Sequence, residues 1–227
     1  MSAVHRLLDA ALDLLYPPRC QICHALIEPR EKPVCRKCLD TLPEHEGADP
    51  RVEGASRCVA TFFYTGDLRE SFHRYKFGGM DWYARLYGQW MAVTVRDRLA
   101  GQYDLLSWAP VSRKRLKSRG YDQAQLLAQS LGHELGLVPV RTLEKHTDNP
   151  AQSGLDSAQA RAENTRGVYR AYNVAAFRGK RILLIDDIVT TGATLSECCR
   201  TLRAAGAADV VCAALATPTL LEKENDR

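Results

Sequence analysis

"RILLIDDIVTTGATL", residues 181–195, sets an apolar run against two aspartates and a hydroxyl-rich turn. RILLI is apolar at consecutive positions, so it reads as a strand buried on both faces. Leu195, Cys198, Cys199 and Leu202 then follow 3.6-residue spacing, which makes the next element a helix. A strand that enters a helix through a glycine-containing turn gathers backbone N–H groups at the positive helix end, and that is a cradle for phosphate. Thr190, Thr191 and Thr194 add hydroxyls around Ala193, and Gly192 permits close approach. Asp186 and Asp187 stand just ahead of the cradle, placed to accept from sugar hydroxyls without facing the phosphate. A ribose with a 5′-phosphate satisfies both halves.

Other phosphate motifs are missing. A Walker A loop needs G-x4-G-K-[ST] and a dinucleotide fold needs G-x-G-x-x-G, and the chain has neither. A receiver domain also has an acidic pair after a strand, but it needs a further aspartate and a lysine on later strands. Only 40 residues follow Asp187. A turn with no ligand has little reason to combine Asp-Asp with three threonines.

Working outward from this stretch, strand and helix patterns alternate from about residue 59. VATFFY (59–64) reads as a strand, residues 81–99 as a helix, and YDLLSWAPV (103–111) as a strand. A basic loop is expected over 112–123, a helix over 124–136, a short strand over 137–143 and a loop over 145–154. A helix over 155–165 and a last strand over 209–216 complete the pattern. Such alternation implies a parallel sheet covered on both faces, with ligands at the carboxyl ends of its strands.

The cysteines divide into two sets. CQICHALIEPREKPVCRKC reads C-x2-C, eleven intervening residues, then C-x2-C, all within Cys20 to Cys38. Two such turns complete the closed sulfur shell of structural zinc, with Cys20, Cys23, Cys35 and Cys38 as ligands. His24 is a conceivable substitute, and the four cysteines leave it a bystander. The intervening segment buries little apolar surface, so the metal supplies the folding energy of a module expected to fold apart from the ribose-phosphate site. Cys58, Cys198, Cys199 and Cys212 follow no ligand pattern and read as buried small side chains.

Length and composition fit one large domain plus an appendage: 227 residues, 45% hydrophobic, formal net charge +4. Charge on this scale does not announce a nucleic-acid binder. No run approaches the roughly 20 apolar residues of a membrane span. Val4, Leu7, Leu8, Ala11, Leu14 and Leu15 recur at helical spacing with Asp9 and Asp13 between them, so the first residues read as an amphipathic helix rather than a leader. A cytoplasmic location is expected, where thiols stay reduced.

ILLIDDIVTTGAT resembles the phosphoribosyl pyrophosphate (PRPP) motif of type I phosphoribosyltransferases. Nearly the whole chain is similar to the ComF/GntX family of bacterial competence and DNA-utilisation proteins. That likeness is carried by the cysteine quartet, by PVSRKRLKSRGYDQAQLLA (110–128) and by DNPAQSGLDSAQARAENTRGVY (148–169). Asp122 stands where asparagine is usual and Asn149 where threonine is. The chain also has one clear quartet where many relatives have a double ribbon.

The resemblance implies an α/β fold, a parallel-sheet type I phosphoribosyltransferase domain behind a small zinc-binding module. Residues 1–57 are expected to form the N-terminal helix and the four-cysteine module, 58–220 the phosphoribosyltransferase-like domain, and 221–227 a frayed tail. Asp186 and Asp187 would hold the ribose 2′- and 3′-hydroxyls and residues 190–194 the 5′-phosphate, with Mg²⁺ carried on the pyrophosphate. The loop after LLSWAPV would face the pyrophosphate, and residues 145–167 would form a mobile cover. From that cover Lys145 or Arg161 could reach over the bound ligand.

Arg113, Lys114, Arg115, Lys117 and Arg119 place five positive charges within seven residues. They suit a pyrophosphate leaving group, a nucleic-acid backbone, or plain solvation. Tyr75, Lys76, Phe77, Trp82 and Tyr83 mix aromatic and positive residues as single-strand DNA surfaces do, although helix packing is the commoner use. His133 and His146 are lone histidines, and no nucleophile stands out. Two functions stay open: an enzyme that transfers a phosphoribosyl group to an unknown acceptor, and a non-catalytic PRPP sensor that handles single-stranded DNA alongside uptake proteins.

Overall fold

The computed structural model describes residues 17–28, 33–147 and 167–219. The helices expected over 4–15 and 155–165, Asn149, Arg161 and the tail 221–227 lie outside these residues.

Four strands form one parallel sheet: β1 (Arg57–Phe63), β2 (Leu105–Trp108), β5 (Arg181–Ile188) and β6 (Asp209–Thr217), in the order β1-β6-β5-β2. Strand period two divides their side chains between two cores. Leu183, Ile185, Val211, Ala213 and Leu215 face one side, and Ile182, Leu184, Val210, Cys212 and Ala214 the other. This is why RILLI and the last strand read as continuous apolar runs.

The first side is covered by α2 (Gly66–Phe77), α3 (Tyr83–Leu99) and α5 (Gln123–Leu135). At Gly88 of α3 a Cβ would lie 2.4 Å from Ser130 of α5, so only glycine lets the two helices approach this closely. The other side packs against α7 (Ala193–Ala204), whose Leu195, Cys198, Cys199 and Leu202 are all buried, and against α6 (Val174–Phe177). Cys58 and Cys212 are buried beside them as small core side chains, with Cys212 Sγ 3.6 Å from Cys199 Sγ.

Three local expectations are corrected. Residues 112–123 are not a loop: α4 (Arg113–Arg119) occupies most of the stretch. Ser112 caps it by accepting from the Arg115 amide at 3.4 Å, and Gly120 closes it in the left-handed conformation. The strand expected over 137–143 begins only at its end, as β3 (Leu143–Lys145), which pairs antiparallel with an unforeseen β4 (Tyr169–Ala171). Helix α2 is also absent from the sequence pattern. Its sequence, GDLRESFHRYKF, is polar on average, and its buried face is Leu68, Ser71, Phe72 and Tyr75.

All four sheet strands point the same way, so their carboxyl ends share one edge. Asp186 and Asp187 sit on that edge. No helix among the described residues is long and apolar enough to cross a membrane.

Candidate functional site

Both aspartates belong to β5, so strand alternation sends them to opposite faces. Asp186 falls on the α7 side, where its charge is felt by Tyr169 and Cys198. Asp187 falls on the side of α2 and α5 and is felt by Tyr75, Arg119 and Asp122. Burial first, and repulsion by Asp187 second, push Asp186 up to about 8. The pair therefore holds fewer than two negative charges at neutral pH.

The turn beyond them is open to a ligand. Thr190 and Thr191 are exposed, and Gly192 adopts φ +78° at the N-cap of α7. The amides of Thr190, Thr191 and Gly192 meet no acceptor among the described residues, and they cluster at the positive end of a twelve-residue helix. A Cβ at Gly192 would lie 2.7 Å from the Arg51 carbonyl oxygen, because the segment around residues 49–56 packs directly beside the turn. Glu53 ties that segment down by donating its amide to Ser196 Oγ at 2.9 Å.

Sequence reasoning missed the partner of Asp187. Lys76, in the last turn of α2, places Nζ 2.7 Å from Asp187 Oδ2, with both side chains less than one-fifth exposed. The other oxygen, Oδ1, accepts from the Ile188 amide at 2.6 Å. Around this pair, Tyr75 donates its hydroxyl to the Gln123 carbonyl at 2.9 Å, and Tyr121 donates to the Tyr75 carbonyl. Asp122 caps α5 through Gln125 and also accepts from the Val111 amide at 3.0 Å. Tyr75 and Tyr83 are core residues, whereas Phe77 and Trp82 are 60% and 57% exposed.

The segment that leaves β2 runs beside the acidic edge, since the Ala109 amide donates to the Ile185 carbonyl at 2.9 Å. It leads into α4. There Arg113 reaches Glu144 at 3.2 Å, Arg119 lies 4.8 Å over the Phe77 ring, and Lys114 and Lys117 are exposed. Lys145 is placed differently from the sequence expectation: it is a buried residue of β3, with Nζ 5.4 Å from the Tyr169 ring centre, rather than part of a cover loop. The β3–β4 pair brings together the two ends of residues 146–168, and the Gly167 amide is pinned to Glu197 of α7 at 2.7 Å.

The four cysteine sulfurs lie within 4.8 Å of one another. A Zn–S bond of about 2.3 Å puts tetrahedral sulfurs roughly 3.8 Å apart, and Cys23 Sγ and Cys35 Sγ are 3.8 Å apart. Burial opposes ionisation of Cys20, yet the amides of Cys35, Cys23 and Ile22 outweigh it and lower the thiol to about 7. His24, at φ 62°, makes the turn and is not among the four ligands. The donor set and its spacing fit structural zinc, and residues 11–50 contain only these four cysteines, the ligands of a single site.

The quartet does not stand apart. Cys20, Ile22, Val34 and Cys38 share one apolar core with α2, α3 and the sheet. The α1 turn (Arg36–Asp40) supplies Cys38, and α2 grips the first knuckle: Ser71 donates to the Gln21 carbonyl, and Arg74 to the carbonyls of Gln21 and Ile22.

A phosphoribosyl transferase domain matches residues 116–226, and a double zinc ribbon domain matches residues 11–50. Competence protein F of Haemophilus influenzae is 29% identical over 188 residues, 78% of this chain and 82% of that one. The DNA utilization protein YhgH of Salmonella typhi is 29% identical over 181 residues, 78% of this chain and 74% of that one. The crystal structure of adenine phosphoribosyltransferase from Thermoanaerobacter pseudethanolicus is 18% identical, covers 61% of this chain and 73% of that one, and gives a TM-score of 0.37. Domain order and similarity over 78% of the chain agree, and both make this protein similar to competence protein F and the DNA utilization proteins.

Proposed function

We propose that the chain binds PRPP and transfers its phosphoribosyl group to an acceptor, with release of pyrophosphate. The observation that carries this reading is the pairing of Asp186 and Asp187 at the end of β5 with the amides of Thr190, Thr191 and Gly192 at the start of α7, which meet no acceptor among the described residues. Amides at a helix start suit a 5′-phosphate, with the Thr190, Thr191 and Thr194 hydroxyls and the Ala193 backbone completing the turn. Carboxylates one turn earlier suit ribose hydroxyls. The residues that leave β2 would then face the pyrophosphate, where Arg113, Lys114, Arg115, Lys117 and Arg119 offset the charge that develops as the C1–O bond breaks. Mg²⁺ carried by the pyrophosphate oxygens would share that neutralisation. Arg161 keeps its proposed role over the ligand, whereas buried Lys145 suits support of the β3–β4 base better.

A second reading, non-catalytic PRPP sensing with handling of single-stranded DNA, is favoured by exposed Phe77, whose ring lies under Arg119 of the basic helix α4, and by exposed Trp82. Titration calorimetry with PRPP and Mg²⁺, run beside a pyrophosphate-release assay, separates the two. Binding that Asp186→Asn with Asp187→Asn abolishes, together with release, upholds the enzyme. Binding without release, combined with a DNA affinity whose salt slope falls in Lys114→Ala with Lys117→Ala, upholds the DNA-handling reading. No PRPP binding overturns both.

A further inference from the structure

We propose that Lys76 is a positioning residue for this site: from the last turn of α2 it fixes Asp187 for a ribose hydroxyl, and the zinc knuckle fixes where α2 stands. The inference deepens the PRPP reading and rests on it.

Asp187 has each oxygen held once, Oδ2 by Lys76 and Oδ1 by the Ile188 amide. A carboxylate oxygen accepts in two directions, so both oxygens keep capacity for a ligand while the group itself cannot turn. This orientation is paid in advance, before ligand arrives, which is how binding sites limit ordering costs. A lysine with its ammonium less than one-fifth exposed carries a solvation penalty, and its partner offsets that penalty only in a fixed geometry.

The geometry is fixed from two sides of the C-terminal half of α2. On one side Ser71 and Arg74 hold the carbonyls of Gln21 and Ile22, inside the turn between two ligand cysteines. On the other, Tyr75 is tied to α5 through its hydroxyl on Gln123 and its carbonyl under Tyr121. Gln123 Nε2 also donates to the Lys76 carbonyl at 3.5 Å. Lys76 thus follows Arg74 by two residues on a helix that bridges the metal module and the acidic edge.

The charged and titratable groups around Asp187 are Asp186 on β5, Tyr75 and Lys76 on α2, Arg119 on α4, and Asp122 at the start of α5. Two of these are carboxylates that raise one another's proton affinity, and Lys76 opposes them directly. Its removal leaves Asp186 more protonated at neutral pH, and a protonated carboxyl is a poorer acceptor for a hydroxyl.

The test is calorimetry of the zinc-loaded full chain with PRPP and Mg²⁺ from pH 6 to 9, for wild type, Lys76→Met and Lys76→Arg. Lys76→Met should weaken binding about tenfold at pH 7 and move the midpoint of its pH dependence up by about one unit, and Lys76→Arg should recover most of both. Unchanged affinity and midpoint in Lys76→Met overturn the proposal, as does an arginine variant no better than methionine. Carbon-13 carboxyl titration of the ligand-free chains keeps the two readings apart. If wild type binds no PRPP, the ribose-phosphate reading fails. The titration still decides whether Lys76 controls Asp187: an upward shift in Lys76→Met upholds it, and no shift overturns it.

Discussion

Arg74 donates its guanidinium to the Ile22 carbonyl, in the middle of the first C-x2-C turn, two residues before Lys76 meets Asp187. The metal module and the proposed ribose-phosphate site are therefore joined by one helix and one apolar core. The sequence alone suggests a module that folds apart, because its charged linker hides the fact that Ile22 and Val34 are buried against α2 and α3.

Cys35→Ser, or zinc removal by a chelator, should accordingly do more than unfold residues 17–40. Metal release should lower the midpoint of thermal unfolding of the whole chain. It should also weaken PRPP binding several-fold, since structural zinc contributes about 10 kcal/mol or more to such modules. Zinc analysis alongside calorimetry checks it. A zinc-free chain that binds PRPP as tightly as the loaded one would show that α2 holds its place without the knuckle.

Asp186 sets up a conflict between stability and binding. Its ordinary value near 3.8 rises to about 8 in the folded chain, by burial first and by the charge of Asp187 second. Between those values the folded chain keeps a proton that the unfolded chain has released, so stability is complete below about pH 4 and is lost as pH rises through about 8. Asp186→Asn removes the penalty and keeps an oxygen for the Asp187 amide, which in the wild-type chain donates to Asp186 Oδ1 at 2.8 Å. The variant should be more stable than wild type at pH 8 by at least about 1 kcal/mol, with the gap closing below pH 4. It should also bind PRPP more weakly. Urea unfolding at the two pH values reads the difference, and equal stability at pH 8 would mean Asp186 is not held in a costly place.

The parts legible in the sequence are those governed by local pattern. Buried strands show as continuous apolar runs, α7 shows in the spacing of Leu195, Cys198 and Cys199, and the quartet shows in its two C-x2-C turns. What escapes depends on partners distant in the chain. Lys76 is one basic residue in a polar helix, and nothing near it announces Asp187, 111 positions later. Helix α4 reads as a loop because a run of five cations suggests solvation, although Ser112 and Gly120 are ordinary start and stop signals around it. Strand β4 is three residues long and exists only through its pairing with β3, so no periodicity could mark it.

Asp122 offers a gentler test of the same electrostatics. It is buried, and desolvation raises its proton affinity against the amides of Val111 and Gln125, with Asp187 adding to the rise. Asparagine keeps one acceptor for the helix cap and gives up the other. Asp122→Asn should therefore change stability at pH 7 by no more than about 1 kcal/mol, the lost hydrogen bond set against the removed charge. With one carboxylate fewer facing the edge, Asp186 should titrate lower. Carboxyl NMR reads this, and an unmoved Asp186 would show that Asp122 is screened from the pair.

Gly192 is constrained twice, by its backbone and by its neighbour. Its φ of +78° disfavours any Cβ, and the added carbon would lie 2.7 Å from the Arg51 carbonyl oxygen. Gly120 provides the control: its φ is +83°, yet nothing lies within 4 Å of the point where an alanine methyl would sit. Gly120→Ala should cost about 1 kcal/mol, the backbone penalty alone. Gly192→Ala should cost roughly 2–4 kcal/mol, because a backbone carbonyl cannot swing aside as a flexible side chain does. The segment around Arg51 must shift, and the turn that carries the amides of Thr190, Thr191 and Gly192 moves with it. PRPP binding should then fall further than the lost stability accounts for. Denaturant unfolding of both variants, followed by calorimetry at a temperature where both remain folded, separates the effects. Equal costs for the two glycines would mean that Arg51 does not press on the turn in solution.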